Sequence, residues 1–276
     1  MKKRRKLKKW VKKALITIPI ITILFILTIS IKNIKPTFSS TKTINKLEKE
    51  TTKKINKKEE SPKEELERYT YEEGFYYEIL SNEIKTKITG KSFPKEFNDN
   101  YTTISYEDLK YVNVKYYDFN EIEHNDGALI VNKDVAEEVL KIFYELYQNK
   151  YPIEKMKLVE EYDAIDELSM EDNNTSAFNY RIVENSDKLS WHCFGLAIDI
   201  NPLYNPYIVG NEIYPKNAKE YTNRIKEYKG KITHNDLAYQ IFTKYGWKWG
   251  GDFINSKDYQ HFYKDIYDEN IRERRK

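Results

Sequence analysis

The sequence predicts an α+β domain preceded by one transmembrane helix and a charged linker. Two patterns predict the domain class: an amphipathic helix over residues 134–149 and a short apolar strand over 196–200. Helices and strands do not alternate in the order of a βαβ repeat, which favours α+β over α/β. A third pattern, an uncharged run over residues 14–31, predicts the membrane-spanning helix.

The uneven distribution of charge along the 276 residues argues against one class of function. Residues 1–13 carry nine Lys or Arg and no acid, and residues 32–68 carry eleven basic and seven acidic residues. This leaves 27 basic and 37 acidic residues in 69–276, although the whole chain has a net charge of +3. An acidic domain does not favour binding to phosphate backbones, so no nucleic-acid partner is expected.

The run over residues 14–31 predicts an uncleaved signal anchor. It is 18 residues long, which lies within the range of about 17–25 for a spanning helix and exceeds the core of about 7–15 in a signal peptide. The basic segment 1–13 would stay in the cytoplasm and place everything after Lys32 outside. We therefore expect a single-pass protein of the cell membrane with an extracellular domain. Secretion after signal cleavage is the alternative.

Residues 32–68 contain many charges and few large apolar side chains. Such a segment cannot bury enough surface to offset its chain entropy, which predicts a flexible linker. The globular domain is then expected over 69–276.

Several elements of this domain can be predicted from local patterns. The helix over 134–149 has an apolar face, and Asp134 is its predicted N-cap. Residues 155–162 alternate like a strand, and 196–200 form a second short strand. A further helix is predicted over 234–246, beginning near Asn235 or Asp236 with Gly246 just after its end. The segment WKWGGDF (247–253) predicts a turn that leads into another strand or loop.

Two of the four histidines lie in segments typical of a metal site. His192 precedes Asp199 by seven positions, and His261 follows Asp258 by three. Two histidines and one carboxylate suffice as protein ligands for a catalytic zinc ion, and a further carboxylate is needed as general base. Asp258 and His261 could share a face only on a helical turn, or at a turn or bulge of a strand. Gly195 would allow the chain to bend between His192 and the strand.

The pattern S-x-H-x-x-G-x-A-x-D followed by D-x-x-H resembles the zinc D-alanyl-D-alanine carboxypeptidases and L-alanyl-D-glutamate endopeptidases, which act on bacterial cell-wall peptides. The resemblance covers residues 127–262, approximately. The matching positions are Ser190, His192, Gly195, Ala197, Asp199, Asp258 and His261. This resemblance implies a small α+β domain in which an antiparallel sheet with flanking helices cradles the zinc ion.

The resemblance also implies a role for each site residue. His192, Asp199 and His261 would bind Zn²⁺, and Asp258 would be the general base. Arg181 would contact the substrate and stabilise the developing oxyanion, a task that suits a planar, permanently charged guanidinium. A surface ion pair is the alternative for Arg181, and a capping role is the alternative for Asp258.

The remaining candidate residues receive structural interpretations. Ser190 is expected to orient the segment around His192, and Cys193 to be a small buried residue, because a fourth protein ligand would close the position that catalysis needs. His124 and His234 are interpreted as surface or packing residues. No disulfide can form within a chain that has one cysteine.

The function predicted by the resemblance is zinc-dependent hydrolysis of a peptide bond in peptidoglycan stem peptides. The sequence leaves the bond open, although Asp rather than Glu at the base position favours the endopeptidase branch by resemblance. The alternative function is a catalytically inactive domain that binds the wall or a partner on a membrane stalk. The sequence does not determine the oligomeric state, and a monomer is the expectation.

Overall fold

The computed structural model describes residues 67–97, 103–183 and 186–272. The predicted anchor (14–31) and almost all of the predicted linker (32–68) lie outside these ranges. Across the described ranges, no helix combines the length and the apolar character needed to cross a bilayer. The described residues all belong to one structural unit, Glu64–Lys276.

The first half of this unit is a four-stranded antiparallel sheet whose strands follow one another in chain order. Its strands are β1 (Arg68–Glu72), β2 (Phe75–Ile79), β3 (Leu109–Tyr117) and β4 (Glu123–Asn132). A short helix, α1 (Asn82–Ile88), follows β2. Gly74 has φ +83° in the tight turn between β1 and β2, a backbone region that favours glycine.

Helix α2 (Ala136–Gln148) packs against the sheet through the face that the periodicity predicts. The buried residues of this face are Ala136, Val139, Leu140, Ile142, Phe143 and Leu146. The predicted cap is wrong: the helix begins one residue later, and Val135 occupies the N-cap without a side-chain hydrogen bond. The Asp134 carboxylate instead accepts a hydrogen bond from the Tyr267 hydroxyl at 3.1 Å.

The predicted strand over 155–162 is also wrong. Residues 155–158 alternate between buried and exposed, but their strand-like pairing is limited to an isolated bridge between Lys155 and Asn174, and Val159–Tyr162 form a 3₁₀ turn. The buried Asn174 side chain accepts from the Lys157 N–H at 2.8 Å and donates to the Lys157 carbonyl at 2.9 Å. One amide side chain thus satisfies both backbone groups of Lys157, where a strand would need a neighbouring strand.

The second half of the unit contains two small antiparallel sheets, ordered β5-β10-β8 and β7-β6-β9. Their strands are β5 (Ala197–Asp199), β6 (Tyr207–Val209), β7 (Glu212–Tyr214), β8 (Lys248–Trp249), β9 (Ser256–Asp258) and β10 (His261–Tyr263). The predicted strand over 196–200 is confirmed as β5. Two further short helices are α3 (Asp166–Glu171) and α4 (Leu237–Lys244).

Helix α4 confirms the prediction made for residues 234–246 and connects the core to β10. The Asp236 carboxylate accepts from the Ala238 N–H at 2.9 Å, and Gly246 adopts φ +78° just after the helix. Phe242 stacks on Phe262 of β10 with ring centroids 4.2 Å apart. The structure is α+β with small antiparallel sheets, as predicted.

Candidate metal centre

His192 lies on a 3₁₀ turn, Trp191–Phe194, that begins and ends with defined caps. The Ser190 hydroxyl accepts from the His192 N–H at 3.3 Å, which confirms that Ser190 orients this segment. Gly195 ends the turn at φ +64°, as the sequence predicts. A Cβ at this position would lie 2.5 Å from the backbone nitrogen of Asn132, so the position also excludes a side chain for lack of space.

Asp199 and His261 face each other across two adjacent strands. They are directly paired in the register of β5 and β10, which places both side chains on the same face of the sheet. His261 Nδ1 lies 2.9 Å from Asp199 Oδ1. The backbone of Asp199 is also bonded to Ser176 on the other side, since each residue's N–H donates to the other's carbonyl. The position of the carboxylate is therefore fixed from both sides.

The three predicted ligands meet in one buried cluster. His192 Nε2 lies 3.2 Å from both His261 Nδ1 and Asp199 Oδ2. The ligand atoms all lie within 4.8 Å of one another, and the residues are at most 8% exposed. Two imidazole nitrogens and one carboxylate oxygen are a donor set that zinc prefers. The residues present therefore fit a zinc ion.

The surroundings of the cluster favour the ionisation states of metal ligands. His192 Nδ1 contacts the Ala177 carbonyl; donation of Nδ1–H there leaves the lone pair of Nε2 directed at the cluster. Burial lowers the pKa of His261, although its hydrogen bond to Asp199 opposes this effect, and a neutral imidazole is the ligating form. Burial alone would raise the pKa of Asp199, but the two histidines outweigh it and hold this pKa well below its ordinary value.

Asp258 ends β9, and a bend at Tyr259–Gln260 separates it from His261 at the start of β10. The turn that the sequence required between the two residues is therefore present. The Oδ1 atom of Asp258 is buried and has no hydrogen-bond partner among the residues that the structure describes. Burial raises the pKa of Asp258 well above its ordinary value, and the charge of Asp199 adds to this effect while Arg181 and Gln260 oppose it. A carboxyl group with these properties suits proton transfer better than a capping role.

Arg181 is held by contacts at both its backbone and its side chain. The Cys193 thiol accepts from the Arg181 N–H at 3.0 Å and donates to the Arg181 carbonyl at 2.8 Å. The Arg181 Nε forms an ion pair with Asp166 Oδ2 without the geometry of a regular hydrogen bond. An ion pair was one expectation for Arg181, but its side chain is only 34% exposed and lines a cleft rather than the outer surface.

The cleft beside the cluster has a volume of about 550 Å³ and brings the five predicted site residues together. Its wall includes His192, Asp199, His261, Asp258 and Arg181. Aromatic side chains and a second arginine form other parts of the wall, namely Trp191, Tyr207, Tyr214, Phe253, Tyr263 and Arg272. A chamber of this size accommodates a short peptide segment next to the cluster.

The residues given structural interpretations lie as expected. Cys193 is buried, and burial raises the pKa of its thiol to about 12, which keeps it neutral. His124 stacks on Tyr116 and pairs with Asp118 at 3.2 Å. His234 is exposed and pairs with Asp252 at 2.8 Å.

Three contributors to the site were not predicted from the sequence. Asp166 contacts Arg181, and Gln260, which lies between Asp258 and His261 in the chain, lines the same cleft. Gly250 allows close packing, since a Cβ there would lie 2.8 Å from the Cβ of Asp258 and 3.2 Å from that of His261. The glycine pair at 250–251 was a usable signal, whereas nothing in the local sequence marks Asp166.

The fold and the cluster together define an α+β domain with a candidate metal-dependent hydrolytic centre. Residues 184–264 match the model of the D-alanyl-D-alanine carboxypeptidase family, which confirms the predicted resemblance. The matched segment contains the three candidate ligands and Asp258, and it begins three residues after Arg181. The match supports a hydrolytic role for this centre. Neither the curated proteins nor the solved structures contain a significant match to the chain.

Proposed function

We propose that this protein is a zinc-dependent peptidase that hydrolyses a peptide bond in the stem peptides of peptidoglycan. The observation that carries the proposal is the buried cluster of His192, Asp199 and His261, which shares one cleft with Asp258 and Arg181. A catalytically inactive binding domain would have no need to keep three ligands, a base and a cation in one cavity.

His192, Asp199 and His261 would hold the zinc ion, and three protein ligands are the number typical of a catalytic zinc site. When bound there, zinc polarises a carbonyl group and lowers the pKa of water. The protein fixes the ligand orientation through the Ala177 carbonyl and through the pairing of β5 with β10.

Asp258 is the residue that moves protons. Its Oδ1 has no partner within the described residues and is the candidate atom to accept a proton from the attacking water. The same carboxyl group would then deliver this proton to the leaving amine. The raised pKa of Asp258 supports delivery of the proton to the amine. Acceptance and delivery together require a carboxyl group that alternates between its ionised and its protonated form.

Arg181 would stabilise the charge that develops on the scissile carbonyl oxygen. A guanidinium offers five N–H donors, so the ion pair through Nε leaves its terminal groups for the substrate. A fixed cation in a partly buried cleft stabilises such a charge more than it would in water.

The experiment that tests this function is incubation of the purified full chain with defined muropeptides, followed by identification of the products by mass spectrometry. Loss of a terminal D-alanine would identify a carboxypeptidase, and cleavage between L-alanine and D-glutamate would identify an endopeptidase. Asp258→Asn should form little product, and Asp252→Asn, which removes an exposed carboxylate paired with His234, should match the parent. Intact muropeptides after incubation with the zinc-loaded parent would refute the proposal.

The site of action that we propose is the outer face of the cell membrane. The support is the sequence alone: nine basic residues precede the uncharged run over 14–31. Protease added to intact, wall-stripped cells should remove the domain and leave a short membrane fragment. Protection of the domain until lysis would refute the orientation. Recovery of the domain from the medium with a new N-terminus after Ile31 would show that the segment is a cleaved signal.

A further inference from the structure

We infer that Asp166 is a positioning residue for Arg181, and that Asn179 ties this pair to the metal-ligand segment. The inference rests on the proposed function, because it assigns Arg181 a task that depends on its orientation. Asp166 and Asn179 both lie outside the segment that matches the family model, 184–264.

An unsupported arginine side chain is mobile. It has many rotamers and loses conformational entropy when it is held in one of them. A catalytic cation must nevertheless stay close to one position, because a displacement of about 1 Å lowers the reaction rate strongly. Arg181 therefore needs a partner that holds the guanidinium but leaves its terminal nitrogens accessible. The ion pair between its Nε and Asp166 Oδ2 meets this requirement.

Asp166 is itself held in place by a neighbouring side chain. Asp166 is the first residue of α3, and its Oδ1 accepts from the side-chain amide of Asn179 at 2.7 Å. The two carboxylate oxygens thus have different partners, Asn179 on one and Arg181 on the other. This arrangement fixes the plane of the carboxylate and directs Oδ2 at Arg181.

The pair is connected to the metal centre through Asn179 and Cys193. Asn179 is only 5% exposed, and its backbone N–H donates to the His192 carbonyl at 3.2 Å. On the other side, the thiol of Cys193, the neighbour of His192, holds the Arg181 backbone through its two hydrogen bonds. The backbone of Arg181 is therefore held by Cys193, and its side chain is held through Asp166 and Asn179. Both sets of contacts lead to the segment that contains His192.

The variant that tests the inference is Asp166→Asn, which keeps the shape of the side chain and removes its charge. The matched control is Asp172→Asn at the other end of the same helix, where the carboxylate pairs with Lys155 outside the cleft. On the full chain, Asp166→Asn should lower kcat by about tenfold or more, because misplacement of a catalytic group is costly. The zinc content should stay unchanged, because Asp166 contacts Arg181 rather than a candidate ligand. Asp172→Asn should retain the parental kcat.

A double-mutant cycle separates positioning from a general structural effect. If Asp166 acts through Arg181, Asp166→Asn should have no further effect on kcat in the Arg181→Ala background. An equal loss of kcat in both backgrounds would overturn the inference, and so would a parental kcat in the single variant.

A readout that does not need activity keeps this test separate from the test of the proposed function. Modification of arginine by phenylglyoxal, followed by mass spectrometry of the peptide containing Arg181, measures how firmly the guanidinium is held. Arg181 should react several-fold faster in Asp166→Asn than in the parent or in Asp172→Asn. Equal rates in all three proteins would overturn the inference even if no muropeptide is cleaved. Faster reaction with no cleavage by the parent would support the pairing and refute only the proposed function.

Discussion

Asp199 and His261 are separated by 62 positions in the chain, yet they lie directly opposite each other on β5 and β10 with 2.9 Å between carboxylate and imidazole. Side chains alternate between the faces of a strand, so a slip of one residue in this pairing would move both away from His192. The pairing of two three-residue strands thus determines whether the centre exists. The apolar partners Ile198 and Phe262, both fully buried, fix its register from the opposite face.

The first prediction concerns removal of the metal. Chelation should abolish peptide hydrolysis but leave the far-ultraviolet circular dichroism spectrum unchanged, because the aromatic core around Phe242 and Phe262 does not include the centre. The unfolding temperature should fall, since a ligand at about a hundred times its Kd stabilises a folded protein by about 2.7 kcal/mol. Loss of the folded spectrum on chelation at 25 °C would show that the metal is structural instead.

The second prediction assigns a chemical role to Asp258. Asp258→Asn should retain about one zinc per chain and lose about 10²–10⁴-fold in kcat, the usual contribution of a general base. The amide keeps the shape of the side chain but cannot accept the proton. Parental turnover in this variant, measured with the same muropeptide and with Asp252→Asn as control, would reduce Asp258 to a structural residue.

The third prediction compares the stability cost of alanine at two glycines that have the same left-handed backbone conformation. Gly195 has φ +64° and Gly210 has φ +57°. A Cβ at Gly210 meets nothing within 4 Å, whereas a Cβ at Gly195 would collide with the backbone of Val131 and Asn132. Gly210→Ala should lower the free energy of unfolding by about 1–2 kcal/mol, from strain alone. Gly195→Ala should lower it by more than about 3 kcal/mol.

Urea denaturation of both variants measures this difference. Equal losses of stability would mean that the close approach of Gly195 to β4 does not constrain the turn that carries His192.

Part of the site could be predicted from the sequence. The ligands and Asp258 lie in two short motifs, so local spacing was sufficient. The contact between Asp166 and Arg181 joins residues 15 positions apart through a tertiary fold, and no periodic pattern records it. Gln260 lies inside the D-x-x-H motif, but the motif gives no sign that its side chain lines the cleft.

The four-stranded sheet was not predicted because tyrosines occupy successive positions in β2 and β3, on opposite faces of the strand. Tyr76 and Tyr77 are neighbours in β2, and they contact Arg68 and Tyr69 respectively. A hydropathy alternation of period two cannot appear in such a strand. The error over 155–162 has a different cause, since Asn174 satisfies the backbone of an extended segment without a second strand.

The fourth prediction is a pH dependence of stability caused by Glu160. This side chain is buried beside Ser92, and burial raises its pKa above the ordinary value of 4.5. The folded state therefore keeps the proton while the unfolded chain releases it, so the free energy of unfolding falls as pH rises from about 4.5 to the raised pKa. Glu160→Gln should remove this decline, as measured by urea denaturation between pH 4 and 8.

The neighbouring Glu161 provides a control of opposite sign. Its ion pair with Lys87 lowers its pKa, so its contribution is present above its ordinary pKa and is lost as pH falls. The pair is about half exposed, so Glu161→Gln should change stability by only about 0.2–1 kcal/mol. An unchanged decline above pH 4.5 in Glu160→Gln would assign the effect to another group.

The most direct test of the central claim, that His192, Asp199 and His261 hold a catalytic zinc ion, is a titration of metal-free full-length protein with zinc. Hydrolysis of a defined muropeptide should rise with each addition and reach a plateau at about one zinc per chain. A variant in which His261 is replaced by Ala should remain folded and inactive across the same titration. Hydrolysis by the folded, metal-free protein at the rate of the zinc-loaded protein would contradict a catalytic zinc ion at these residues, and so would a folded protein that takes up no zinc.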